Sequence, residues 1–228
     1  MGALVKARLS EADHAKVSAA IAAAEANSDG EIIAIATDLS DRYHDVGLHY
    51  AVLVLFLVLA FFAAWPGQLE HWWTWLMGWS AEPSLRELLT LLLGFALAKF
   101  LAVLFVLKYM PLRLALTPGS TKARRVRRRA IMLFKTGAER RTVGRTGILI
   151  YLSMGEHRAE IIGDEAITSM TTPDTWGEAM TALLTHVKAG RTGDGIVAAV
   201  GLIGDVLSVH FPRSSADTNE IPDKLIEL

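Results

Sequence analysis

Two short stretches of the chain gather the residue types that can do chemistry. Asp38, Ser40 and Asp41 follow the β-branched run Glu31–Thr37, while Ser153, Glu156, His157 and Arg158 surround the turn between two further strand-like runs, 147–153 and 157–163. If 31–37 pairs parallel to 147–153 and 157–163 returns antiparallel, all seven residues collect at one end of a sheet. Ligands of open α/β sheets bind at the carboxyl ends of strands. Asp38, Asp41 and Glu156 would then supply hard oxygen donors suited to calcium or magnesium, and Arg158 would face a phosphate or another anion. Such a set would serve a divalent-metal-dependent phosphatase. The competing reading makes these residues solvated loop positions, and Glu31, Asp164 and Glu165 at the opposite end have the same two readings.

Other chemistries are excluded or disfavoured. The 228 residues include no cysteine, which removes disulfide frameworks, thiolate zinc sites, iron–sulfur clusters and cysteine nucleophiles. There is no G-x-S-x-G, H-E-x-x-H, Walker or dinucleotide glycine pattern. The seven histidines are scattered without ligand spacing, which argues against a histidine zinc site.

The elements that must position these residues are legible. Residues 1–27 lack the continuous apolar core of a secretory signal and read as an amphipathic helix, with Ser10 and Asp13 as a capping box and Val17, Ile21 and Ala24 as the apolar stripe. Asn27-Ser28-Asp29-Gly30 ends it. The run 147–153 is apolar throughout, as a central strand would be, whereas 157–163 is half polar and belongs nearer an edge. Asp174 is placed to cap a helix carrying Trp176, Met180, Leu183, Leu184 and Val187. Asp194 is placed to cap another with Ile196, Val200, Ile203 and Leu207, in which Gly195, Gly201 and Gly204 permit close approach. Asp205 and His210 interrupt this last apolar stretch, so packing on the sheet is expected there rather than a third membrane span.

A mean hydropathy of +0.33 is high for a soluble chain, and the excess is concentrated centrally. Residues 46–65 contain no Asp, Glu, Lys or Arg. At about 1.5 Å per residue such a helix crosses a hydrocarbon layer of roughly 30 Å. A second apolar run, 88–107, is interrupted only by Lys99, whose stem can snorkel toward the interface. Between the runs lie Trp72, Trp73, Trp75 and Trp79, which suit an interfacial belt because indole is apolar in body and polar at its N–H.

Charge is strongly segregated despite a net formal charge of −1. The segment 66–85 has no Lys or Arg, whereas 108–146 carries twelve basic side chains against one acidic. By the positive-inside rule both termini are cytoplasmic and the tryptophan segment is outside. Lys122, Arg124, Arg125, Arg127, Arg128 and Arg129 lie on a juxtamembrane helix whose apolar face is Val126, Ala130, Leu133 and Phe134. At about 1 kcal/mol per basic residue near an anionic leaflet, this cluster is expected to bind lipid headgroups. RNA or DNA binding is disfavoured, since no aromatic interleaving or groove-reading motif accompanies the arginines.

Several of these segments together resemble a known family. Gly30-Glu31-Ile32, Thr146-Gly147-Ile148-Leu149-Ile150-Tyr151-Leu152-Ser153, Glu156 with Arg158, Glu160-Ile161-Ile162, Asp164, Ile167, Trp176, Phe211-Pro212 and Asn219-Glu220-Ile221-Pro222-Asp223 resemble the TPM domain family. That family is known from a thylakoid lumen protein, a photosystem II repair protein and a receptor-accessory subunit. The similarity runs through roughly 10–45 and 120–225 and points to the bacterial membrane branch, with a helical hairpin inserted after the first strand. The resemblance implies a small three-layer α/β domain, acid phosphatase activity as in a plant member, calcium as in some structures, and accessory or repair roles in membranes.

The resulting expectation is a discontinuous α/β domain in the bacterial inner membrane. Residues 1–45 form its first, cytoplasmic part, 46–107 a transmembrane hairpin with spans at about 46–65 and 88–107, and 108–228 the basic helix and the rest of the domain. The expected role is that of a non-catalytic accessory or docking module for a membrane protein or anionic lipid. The alternative is a divalent-metal-dependent acid phosphatase.

Overall fold

The computed structural model describes residues 9–78, 82–137, 146–214 and 222–228. They belong to two compact units, one made of the chain up to Asp41 together with Gly119–Leu228, the other of Arg42–Pro118.

The first unit is a four-stranded sheet between two helical layers. Strands β1 (Glu31–Thr37), β2 (Gly147–Ser153), β3 (Arg158–Gly163) and β4 (Leu225–Glu227) lie in the order β3-β2-β1-β4. β1 runs parallel to β2, with Glu31 opposite Gly147 and Thr37 opposite Ser153, and parallel to β4; β2 and β3 are antiparallel. Every residue of β1 and β2 is buried, whereas β3 at the edge is half-buried throughout. The central strands are covered on both faces, so they read as unbroken apolar runs rather than alternating ones.

The two faces divide by residue parity. Ile32, Ala34, Ala36, Ile148 and Ile150 point into a core filled by α1 (Glu11–Glu25), α8 (Gly177–Lys188) and α9 (Thr192–His210). Ile33, Ile35, Leu149 and Tyr151 point the other way, onto Val126, Ala130 and Phe134 of α6 (Gly119–Gly137). Ser10 caps α1 through the expected box, its hydroxyl accepting the Asp13 N–H at 3.1 Å. Gly204 of α9 is needed for a close crossing: a Cβ there would lie 2.6 Å from Cβ of Ala24.

Several local expectations are corrected. α9 runs unbroken past Asp205 to His210, because the buried face of Ile196, Val200, Ile203 and Leu207 continues through it and leaves Asp205 on the exposed side. Asp194 sits inside its first turn and pairs with Lys16 at 3.1 Å instead of capping. Asp174 lies within a single 3-10 turn, Pro173–Trp176, that is capped by Thr172. A short helix α7 (Glu165–Met170) follows β3, capped by Asp164.

The second unit contains α2 (His44–Ala64), α3 (Gly67–Met77), α4 (Leu85–Val106) and α5 (Met110–Leu116). α2 and α4 pack together, with Phe62 stacked on Phe95 at 5.7 Å between ring centroids. The tryptophan segment is a helix rather than a loop: Trp72 and Trp75 meet edge to face at 5.7 Å, and Trp72 also touches Phe95. Trp79 lies outside the described residues. Lys99 is exposed on α4. Arg113, almost fully buried, donates to the carbonyls of Leu107 at 2.7 Å and Arg42 at 2.8 Å, tying the end of α4 to the start of α2. By length and composition three helices, α2, α4 and α9, are apolar enough to cross a membrane; half of the apolar window of α9 is buried in the protein.

Candidate functional site

The parallel β1–β2 register does bring the ends of both strands together. Met154 and Gly155 donate their N–H groups to the carbonyls of Thr37 and Asp38 at 2.9 and 2.8 Å, zipping the β2–β3 turn to the segment that follows β1. Gly155 is required there, since a Cβ would stand 2.6 Å from Cδ2 of Leu39 and 2.7 Å from the Asp38 carbonyl.

Glu156 is the centre of this region. It is buried, and its carboxylate accepts the Ser40 N–H at 2.9 Å through Oε1 and the hydroxyl of Ser153, also buried, through Oε2. The Ser40 hydroxyl in turn lies 2.9 Å from the Tyr151 hydroxyl. Burial pushes the Tyr151 phenol above its ordinary value; the Ser40 contact and the nearby Arg129 oppose the rise, and the Glu156 charge adds to it.

The other expected ligands go elsewhere. Asp41 binds Arg125 of α6 at 3.0 Å, and Asp38 holds its side chain out to solvent. Among the described residues no three His, Cys, Asp or Glu side chains are grouped so that they could hold a metal ion. Both Glu156 oxygens and one Asp41 oxygen accept hydrogen bonds from protein donors in this arrangement. Arg158 donates to the Gly119 carbonyl at 3.0 Å, at the start of α6. The hydroxyls of Ser40 and Ser153 are likewise engaged, with Tyr151 and Glu156 respectively.

What this region does is anchor chain. Ser40 and Asp41 are the last residues before the second unit and Gly119 the first after it; all three are held, by Glu156, Arg125 and Arg158 respectively.

The opposite end of the sheet holds a group that sequence reasoning missed. Glu25, in the last turn of α1, accepts the Ile32 N–H at 2.7 Å. Burial pushes its carboxyl up to about 9, helped by the neighbouring charges of Glu31 and Asp223. The signal was present: Val17, Ile21 and Glu25 are spaced by four, which puts the acid on the buried stripe. Asp164, also buried, caps α7 through Oδ1, while Oδ2 has no partner among the described residues.

The basic helix α6 divides into three faces. Val126, Ala130 and Phe134 point inward. On the flanks Arg125 pairs with Asp41 and Arg127 with Glu160 at 3.2 Å, and Lys122 and Arg129 are half-buried. Outward stand Arg124, Arg128, Met132 and Lys135, all exposed and at helical spacing.

With this geometry in place, comparison with protein families adds that a TPM domain model matches residues 114–206. The chain carries a TPM domain. The matched segment covers α6, β2, β3 and most of α9, and the sheet of this TPM domain is completed by β1 and β4 from outside the match. The structure is similar to the NMR structure of BA42 protein from the psychrophilic bacterium Bizionia argentinensis, with a TM-score of 0.56 and 16% identity, covering 98% of this chain and 98% of that one. At that identity the likeness shows the fold alone. Comparison with curated proteins gives no match.

Proposed function

We propose that this TPM-domain protein is a membrane-anchored accessory module, held in the bacterial inner membrane by the α2–α4 hairpin and docking on anionic lipid through α6. The observation that carries the reading is the outward stripe of Arg124, Arg128, Met132 and Lys135. Three cations surround one exposed apolar side chain, with the inward face spent on the sheet. Cations beside an insertable thioether suit a headgroup layer, where each basic residue contributes about 1 kcal/mol. Residues 107–118, α5 among them, link the end of α4 to the start of α6. Both termini are cytoplasmic in this reading, from the arginines after the second span and their absence between the spans. α9 spends half of its apolar window on the TPM core, which favours two spans over three. The accessory role extends to another membrane protein as partner.

Hydrogen exchange of the full-length protein in nanodiscs tests the lipid contact. Exchange across α6 should slow when phosphatidylcholine is replaced by a phosphatidylglycerol mixture, and R124Q/R128Q/K135Q should remove the effect. Identical exchange in both lipids would refute docking. Turnover of generic phosphomonoesters by the same preparation, lost in a variant of Asp38 or Asp41, would instead support the phosphatase alternative.

A further inference from the structure

The hairpin unit contains a groove of about 620 Å³ between α3 and α4, within the range of roughly 300–1,000 Å³ usual for small-molecule sites. Its body is apolar, formed by Leu76, Met77, Leu91 and Phe95, and Gly94 leaves its floor open, since a Cβ there would meet nothing within 4 Å. Its polar rim is short and carries both signs of charge: Arg86 and Glu87 in the first turn of α4, next to Thr90. Glu87 uses Oε2 for the Ser84 N–H and hydroxyl at 2.8 and 2.6 Å, leaving Oε1 unengaged among the described residues. Trp73 also lines the groove, and its buried indole N–H has no acceptor among the described residues.

We infer that this groove binds one aminophospholipid of the phosphatidylethanolamine class. The acyl chain fills the apolar body, the phosphate meets the Arg86 guanidinium, and the primary ammonium donates to Glu87. A cation and an anion side by side match a zwitterion, whereas phosphatidylglycerol offers Glu87 only neutral hydroxyl donors and the quaternary ammonium of phosphatidylcholine has no N–H to donate. The inference rests on the membrane reading of the hairpin.

The full-length protein, solubilised in mild detergent, is titrated with each of the three lipids and bound lipid is counted by native mass spectrometry. One phosphatidylethanolamine should be retained about tenfold more tightly than either competitor, the worth of one charge-assisted hydrogen bond. E87Q preserves the cap geometry, because glutamine also completes a capping box, and should erase the preference over phosphatidylglycerol. R86Q should weaken all three lipids. G94L, whose Cβ enters open space, should abolish retention while leaving helicity unchanged. Equal retention of the three lipids by the wild type, or undiminished retention by G94L, overturns the site. Carbonate extraction of membranes separates the two levels: protein that stays in the membrane but retains no lipid refutes the groove alone, and protein released by carbonate refutes the membrane reading together with it.

Discussion

Replacing Glu25 with glutamine should make the α1–β1 junction insensitive to pH. In the folded protein burial lifts the Glu25 carboxyl from 4.5 to about 9, while its Oε1 accepts the Ile32 N–H. The folded state therefore keeps a proton that the unfolded chain releases above about pH 4.5. Stability from this group is complete below that value and declines as pH rises toward 9. The ideal slope is about 1.4 kcal/mol per pH unit, or roughly 4 kcal/mol between pH 5 and 8. Partial solvent access and charge sharing with Glu31 and Asp223 reduce this to about 2 kcal/mol, equivalent to about thirtyfold in an opening equilibrium. Hydrogen exchange at Ile32 and its β1 neighbours in the full-length protein, corrected for intrinsic rates, should show protection falling by that factor across the range. E25Q should give a flat profile and greater protection than the wild type at pH 8. A flat wild-type profile, or an equal slope in E25Q, would refute the buried neutral acid.

Three further outcomes follow from individual contacts. G155A should lower the melting temperature of the TPM domain, because its methyl meets backbone as well as Leu39; a cost of about 1–3 kcal/mol is expected, read by thermal unfolding. E156Q should cost about 1–3 kcal/mol, since an amide nitrogen now faces either the Ser40 N–H or the Ser153 hydroxyl; proteolysis near Ser40 should accelerate in parallel. R113A should destabilise the hairpin unit by about 2–4 kcal/mol through the two carbonyls it abandons, with R113K intermediate because an ammonium lacks the planar fork; limited proteolysis near Arg42 reports both.

The sheet was legible because its signals are local and dense. The β-branched runs 31–37 and 147–153 and the glycine turn at 155 determine three of the four strands, and the polar character of 158–163 puts β3 at the edge. β4 escaped because three residues carry no periodicity; its pairing is decided by where Leu225 packs against the core. α3 escaped for another reason: Pro66 and Gly67 read as turn residues, yet both sit at a helix start, where a missing N–H costs nothing. The meeting of strand ends was foreseen, but the destination of each carboxylate was not. Spacing could place Asp41 and Glu156 at the same edge; only the packing of α6 decides that Arg125 reaches Asp41 first.

That packing also explains how the TPM domain tolerates a large insertion. Adjacent parallel strands need a crossover in any case, and here the crossover from β1 to β2 contains α6, which covers one face of the sheet. Adding residues 42–118 ahead of α6 lengthens a connection that already exists, and closure entropy grows only logarithmically with length, by about 0.6 kcal/mol per doubling. The demand is on the two splice points, where a fluctuating insertion would pull the end of β1 and the start of α6 apart. Both are fastened from within the domain. Glu156 and Arg125 hold Ser40 and Asp41 on one side, and Arg158, two residues after Glu156, holds Gly119 on the other. Residues whose types first suggested catalysis thus also hold the two splice points. A double variant E156Q/R158Q should loosen both splice points at once, raising exchange at 38–41 and 119–122 together while leaving β2 protected. Unchanged exchange at either segment would show that the insertion is held by something other than this pair.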